Sequence, residues 1–234
     1  MTVPTEARAV AGLRTLVVST APTPALAVIV LHGYAMEPEE LAPFAQSIGV
    51  SGRFYFPAGP VAAEPRGSAW WPIDQARRRV ALARGPRDLH EEHPAGAGAA
   101  RQRLVDLLAA VRSECPGASV ALVGFSQGGM LACDTVLRAH PAVDALALLS
   151  SSRIAADEWE TLAPHLAGLP VLVTHGRTDD DLAFAAGEAL RDFVTRAGAD
   201  VQWLPFDGAQ VIPLAAWRAL RRFLKSLPPP ADSI

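Results

Sequence analysis

The sequence predicts an α/β fold: a mostly parallel sheet with helices on both faces, in a single domain over residues 1–234. Three observations lead there. Short runs that are apolar throughout, rather than alternating, recur along the chain; strands covered on both faces need that pattern. Apolar residues at helical spacing lie between several of these runs, which is the rhythm of strand and crossover helix. A length of 234 residues with 50% hydrophobic side chains suffices for one such core, since single α/β domains commonly reach this size.

Taken in order, the predicted strands are Leu13 to Ser19, Leu26 to Leu31, Arg53 to Phe56, Val120 to Phe125, Ala145 to Leu149, Val171 to Thr174 and Val201 to Phe206. The first of these follow one another without helical patterns, which predicts an antiparallel edge. Leu104, Leu107, Leu108 and Val111 fall at i, i+3, i+4 and i+7, as do Leu190, Phe193, Val194 and Ala197, and again Leu220, Phe223, Leu224 and Leu227. Each set makes one apolar stripe on a helix. A further helix is expected over Met130 to Arg138. Residues 58–99 hold many Pro, Gly, Arg and His residues with little periodicity. They read as an irregular loop, and Trp70-Trp71-Pro72 within it suggests a cover over a site. Residues 228–234, beginning Pro-Pro-Pro, cannot continue a helix and read as a disordered tail.

Composition excludes several functions. The formal net charge is -3, and no basic face of the kind nucleic-acid binders carry is evident. The longest apolar run, Ala25 to Leu31, is far too short for a membrane span. Met1 to Val10 lacks the apolar core of a secretion signal. The only cysteines, Cys115 and Cys133, make no spaced framework; together these features predict a reduced, cytoplasmic chain. No cofactor is implied, because the glycines after Val123 lack dinucleotide-loop spacing and no Gly-Lys-Ser appears. His90-Glu91-Glu92-His93 lacks the i, i+4 spacing of a zinc helix and is followed by Pro94, so no metal site is expected.

The strongest local signal is Gly124-Phe125-Ser126-Gln127-Gly128-Gly129 between the strand ending at Phe125 and the helix after it. A strand-to-helix turn this tight strains the serine backbone. Small residues on either side let the chains pass, and the hydroxyl stands clear of the sheet at a helix N-terminus. Ser126 is the candidate nucleophile. An oxyanion needs backbone donors, and the N–H of Gln127 is one. Leu31-His32-Gly33-Tyr34 ends an earlier strand, which makes the Tyr34 N–H the second. The strand Val171 to Thr174 runs into His175-Gly176-Arg177-Thr178-Asp179-Asp180-Asp181. A carboxylate just past a strand's C-terminal end suits a triad acid, so Asp179 is favoured; Asp180 and Asp181 could instead cap the helix that begins near Leu182, and that capping role is open to Asp179 as well.

These pieces resemble the phospholipase/carboxylesterase family of α/β-hydrolases, which includes acyl-protein thioesterases. The resemblance runs from about Ala25 to Leu224. It is carried by Leu31-His32-Gly33, Trp70-Trp71-Pro72, the Gly-Phe-Ser-Gln-Gly-Gly phrase, His175-Gly176-Arg177-x-Asp179, and Phe206-Asp207-Gly208 before a final helix. It implies an α/β-hydrolase fold with no separate cap domain. It also implies Ser126 as nucleophile, Asp179 as acid, Tyr34 and Gln127 as oxyanion donors, and a small or medium acyl ester or thioester as substrate. Trp70, Trp71 and Met130 are the expected apolar pocket walls.

One departure stands out. The family carries its general-base histidine just before the final helix, whereas this chain reads Gly208-Ala209-Gln210-Val211-Ile212-Pro213 and has no histidine after His175. Gln210 stands in the base's position. An amide cannot take the serine proton and return it to a leaving group, as imidazole does. His32 and His175 are the remaining candidate bases, although each reads better as scaffold. Three readings stay open: a slow esterase, a hydrolase-like ligand-binding protein, or a deliberate histidine-to-glutamine variant. Ala209 mildly favours drift over design.

Overall fold

The computed structural model describes residues 5–227. The expected tail at 228–234 lies outside the described residues. One sheet of eight strands organises the chain, in the order β1 (Thr5–Val10), β2 (Leu13–Ser19), β4 (Arg53–Pro57), β3 (Leu26–Leu31), β7 (Ser119–Phe125), β8 (Ala145–Leu149), β9 (Pro170–Gly176) and β10 (Asp200–Phe206). From β4 through β10 the neighbours are parallel, while β1 with β2 and β2 with β4 are antiparallel. The antiparallel edge read from the sequence is present only in part, because a helix over Pro38–Ser47 lies between β3 and β4 and those two strands are parallel. It holds one strand more than expected, because β1 is mostly exposed and polar and offers no apolar run to detect.

Alternate residues of the central strands feed two separate cores. Ile29, Leu122, Leu148 and Val173 face α3 (Ala97–Glu114), α4 (Gln127–Ala139), α5 (Ala156–Leu162) and α6 (Phe184–Arg196). Val28, Val123, Ala147 and Leu172 face α1 (Pro38–Ser47) and α7 (Leu214–Ser226). Both faces are covered, so both sets must be apolar, and strand alternation disappears from the sequence. Among the described residues, no helix is long and apolar enough to cross a membrane.

A buried carboxylate ties three helices together. Asp134 on α4 accepts from Arg101 of α3 at 2.6 Å, Arg138 of its own helix at 2.7 Å and the Trp159 indole of α5 at 2.9 Å. Both carboxylate oxygens are thus matched by donors, and two of the three donors are cationic.

The segment 58–99 is more ordered than its composition suggests. It contains a short hairpin, β5 (Val61–Ala62) with β6 (Ser68–Ala69), then α2 (Gln75–Leu82). No residue of α2 is buried, so an apolar stripe could not betray it. It forms because Ala, Arg, Gln and Leu are good helix formers and because the Asp74 side chain caps it, accepting from the Arg77 N–H at 3.0 Å. The segment also carries Arg77, Arg78, Arg79, Arg84 and Arg87 with no acidic residue between them. Beyond α2 the chain straps across the C-terminal edge of the sheet. Arg87 N–H donates to Asp181 O and the Arg87 carbonyl accepts from Ala183 N–H, while Glu92 and His90 carbonyls accept from the N–H groups of Ala155 and Ala156.

Candidate active site

The C-terminal ends of β3, β7, β8, β9 and β10 lie side by side, so the loops after them share one edge. Registers such as Leu31 with Gly124, Phe125 with Leu149 and Phe206 with Gly176 fix that alignment. Ser126, between β7 and α4, has φ 52° and ψ -116°, a conformation side chains rarely adopt and one that persists only where surroundings enforce it. Its N–H donates to Leu149 O at 2.9 Å, and its carbonyl accepts from Gly129 N–H, Met130 N–H and the Ser151 hydroxyl. The helix starts immediately, at Gln127 rather than at Met130 as expected. That early start is possible because a Cβ on Gly124 would lie 2.3 Å from Gly128 O, and one on Gly128 would lie 2.5 Å from Leu31 O. Only glycine fits at this crossing.

Gln127 is held by the segment that contains the paired tryptophans. Its side-chain oxygen accepts from Trp70 N–H at 3.0 Å, and its amide nitrogen donates to Trp71 O at 2.9 Å. Trp70 and Trp71 were expected to wall a pocket with Met130. Instead their side chains are 1%, 4% and 4% exposed and fill the core. Trp70 stacks on His32 with ring centroids 5.1 Å apart and donates its indole N–H to His32 O at 2.9 Å. Their contribution to the edge is backbone that clamps Gln127, and surface they could offer a substrate is small.

His32 is fully engaged. Its Nε2 accepts from Gly59 N–H at 2.9 Å and faces Ser68 Oγ at 3.1 Å, so the ring hydrogen sits on Nδ1 and donates to Gly33 O at 2.6 Å. Burial pushes its pKa down to about 4. An imidazole with both nitrogens occupied is scaffold for the Gly33-Tyr34 turn. Tyr34 follows that turn, and its hydroxyl accepts from Gln75 Nε2 at 2.8 Å, which links the turn to α2.

Asp179 is buried at the end of β9. One oxygen, Oδ1, accepts from Asp181 N–H at 2.9 Å and Leu182 N–H at 2.8 Å. The other, Oδ2, is buried with no hydrogen-bond partner. Desolvation pushes its carboxyl above the usual range, against the lowering effect of the two backbone donors. His175 lies beneath it, with Nε2 donating to Leu182 O at 3.1 Å and 3.5 Å from Asp179 Oδ2. That ring is wholly buried, and Gly187 leaves the space it occupies, since a Cβ there would sit 2.4 Å from it. Neither His32 nor His175 bonds to Ser126. Asp180 and Asp181 were alternatives as helix caps. The N-cap of α6 is instead Ala183, without a side-chain cap, and Asp181 pairs with arginines.

Gln210 does reach the serine. Its Nε2 donates to Ser126 Oγ at 2.8 Å. The loop that carries it is stitched to the acid loop, with Arg177 N–H on Phe206 O at 2.8 Å and Thr178 N–H on Gly208 O at 3.1 Å. Ser126, Gln127, Tyr34, Asp179 and Gln210 thus gather at one sheet edge, as the sequence motifs imply. Beside the site, sequence reading missed α2 with its arginines, as it missed β1, α1 and α5 elsewhere. The Asp74 cap ahead of Gln-Ala-Arg-Arg-Arg was the available signal.

A mostly parallel eight-stranded sheet with a strained serine between β7 and α4 defines an α/β-hydrolase. The chain belongs to the phospholipase/carboxylesterase family, whose profile matches residues 14–227. No curated protein matches it in sequence. Its fold is similar to that of solved structures. Esterase PE8 superposes with a TM-score of 0.74 at 24% identity, over 97% of this chain and 98% of that one. A carboxylesterase from Mesorhizobium loti gives 0.75 at 19% identity, over 95% and 99%. Acyl-protein thioesterase 2 from Zea mays gives 0.74 at 17% identity, over 91% and 98%.

Proposed function

We propose that this protein is a serine-type carboxylic-ester hydrolase that acts on small or medium acyl esters or thioesters and turns over slowly. Ser126 Oγ attacks the carbonyl carbon, and the N–H groups of Gln127 and Tyr34 take the developing oxyanion. The leaving alcohol or thiol departs with a proton, and water then cleaves the acyl-Ser126 ester. The observation that carries this reading is the strained Ser126 at the α4 N-terminus with a polar side chain 2.8 Å from its Oγ. The slowness follows from what that side chain is. Gln210 donates a hydrogen bond to Oγ and cannot accept the hydroxyl proton there, so the proton must pass to solvent. In a serine protease, removing the triad histidine costs about six orders of magnitude in turnover. Asp179 keeps the acid's position, with Oδ2 lacking the donor an imidazole would bring.

A second reading has its own support. The same Gln210 contact favours a ligand-binding protein that has lost turnover. A fluorophosphonate probe separates the two, because phosphonylation needs an activated serine and not a full catalytic cycle. The esterase reading expects covalent labelling, seen as a mass increase that Ser126→Ala abolishes. Labelling no faster than in Ser126→Ala, with acyl ligands still bound, selects the binding protein.

A further inference from the structure

The guanidinium groups of Arg78 and Arg87 converge on one carboxylate beside the candidate site. Arg87 Nη2 lies 2.5 Å from Asp181 Oδ1, and Arg78 Nη2 lies 3.0 Å from Asp181 Oδ2. All three side chains are largely but not wholly buried, with 27%, 13% and 15% exposure for Arg78, Arg87 and Asp181. The cluster spans the two loops that flank Ser126. Arg78 sits 5.9 Å over the Tyr34 ring on the oxyanion side, and the Asp181 N–H bonds to Asp179 on the acid side.

Charge here does not balance. Asp181 takes one nitrogen from each guanidinium and leaves a net positive pair. Both Nε–H groups are buried without an acceptor. Around them, Arg77 pairs with Glu92, while Arg79 and Arg84 have no carboxylate partner among the described residues. Five arginines in residues 77–87 are thus answered by two carboxylates, on a chain whose net charge is -3. Asp180, the acidic neighbour, is exposed and forms no ion pair among the described residues. Uncompensated charge in a partly desolvated site is unfavourable, and a second anion relieves it more strongly there than in open water. Arginine matches planar and tetrahedral oxyanions by its forked donors.

We propose that Arg78 and Arg87 recognise an anionic group, a carboxylate or phosphate, on the substrate. This rests on the esterase reading of Ser126 and narrows its substrate to an acyl ester or thioester with a second, charged end. With the Nε atoms buried, the anion meets the exposed Nη edges. The reacting carbonyl lies toward Ser126, between the Tyr34 and Asp179 loops.

Calorimetric titration of the full chain tests this with matched pairs. Monomethyl glutarate against dimethyl glutarate reports a carboxylate, and 1-acetylglycerol 3-phosphate against monoacetin reports a phosphate. We expect one anionic member to bind at least tenfold more tightly than its neutral partner, with the gap shrinking as salt rises. Arg87→Gln and Arg78→Gln should each bring the ratio close to one. Asp181→Asn removes the internal competitor and should tighten anion binding severalfold, an effect that loss of packing would not produce. Equal affinities within both pairs, or weaker anion binding by Asp181→Asn, would overturn the proposal. Fluorophosphonate labelling on the same samples keeps the two readings apart. Labelling without anion preference sinks only the arginine site, and anion preference without labelling sinks only the esterase.

Discussion

At Ser126 the chain keeps a largely buried alcohol in a strained turn and a hydrogen-bond partner at 2.8 Å, yet the partner's nitrogen is a donor. Whether a residue at that place can act depends on one lone pair. An imidazole at 210 would present Oγ with an acceptor, and its second nitrogen could donate to Asp179 Oδ2, the buried oxygen without a partner. Gln210→His is therefore expected to raise the cleavage rate of a p-nitrophenyl ester by about 10²–10⁴-fold, with a new dependence on a group titrating near neutrality. An already fast wild type that does not respond would mean that another group takes the proton. His32 is a poor choice for that role, since Gly33, Gly59 and Ser68 hold both its nitrogens.

Among the secondary-structure elements, α4 carries the site and is anchored well away from it. Its Asp134 gathers α3 and α5 through Arg101 and Trp159. Truncating one member of such a group leaves its donors unmatched, and the Trp159 indole is wholly buried. Asp134→Ala should lower unfolding free energy by about 3 kcal/mol in urea titrations while the structure near Ser126 is preserved. A change of less than half a kilocalorie would mean that water or rearranged arginines replace the carboxylate. The helix α2 is the opposite case. It buries no apolar stripe and is held by a cap and by ion pairs, which is why periodicity did not reveal it.

For the molecule as a whole, acid stability should show the cost of the neutral His32. The unfolded imidazole takes a proton below about 6.5 and the folded one only near 4. Between those values the unfolded state binds more protons, so stability falls as the pH drops through that window. The full effect is on the order of 3 kcal/mol. Urea unfolding at pH 7 and 4.5 should show a larger loss in wild type than in His32→Gln, and equal losses would remove His32 as a source of acid lability.

The strands were legible because burial on both faces writes itself as unbroken apolar runs, and the serine turn because its geometry admits only small residues at 124 and 128. The absence of any histidine after His175 was legible too, since a residue's proton chemistry is a property of its type. What the sequence could not carry was contact between distant segments. That Trp70 and Trp71 clamp Gln127 by their backbones and that Arg78 and Arg87 close on Asp181 both depend on where folding brings loops far apart in the chain. Local pattern reports which face is dry; only the folded sheet edge decides which side chains meet across it.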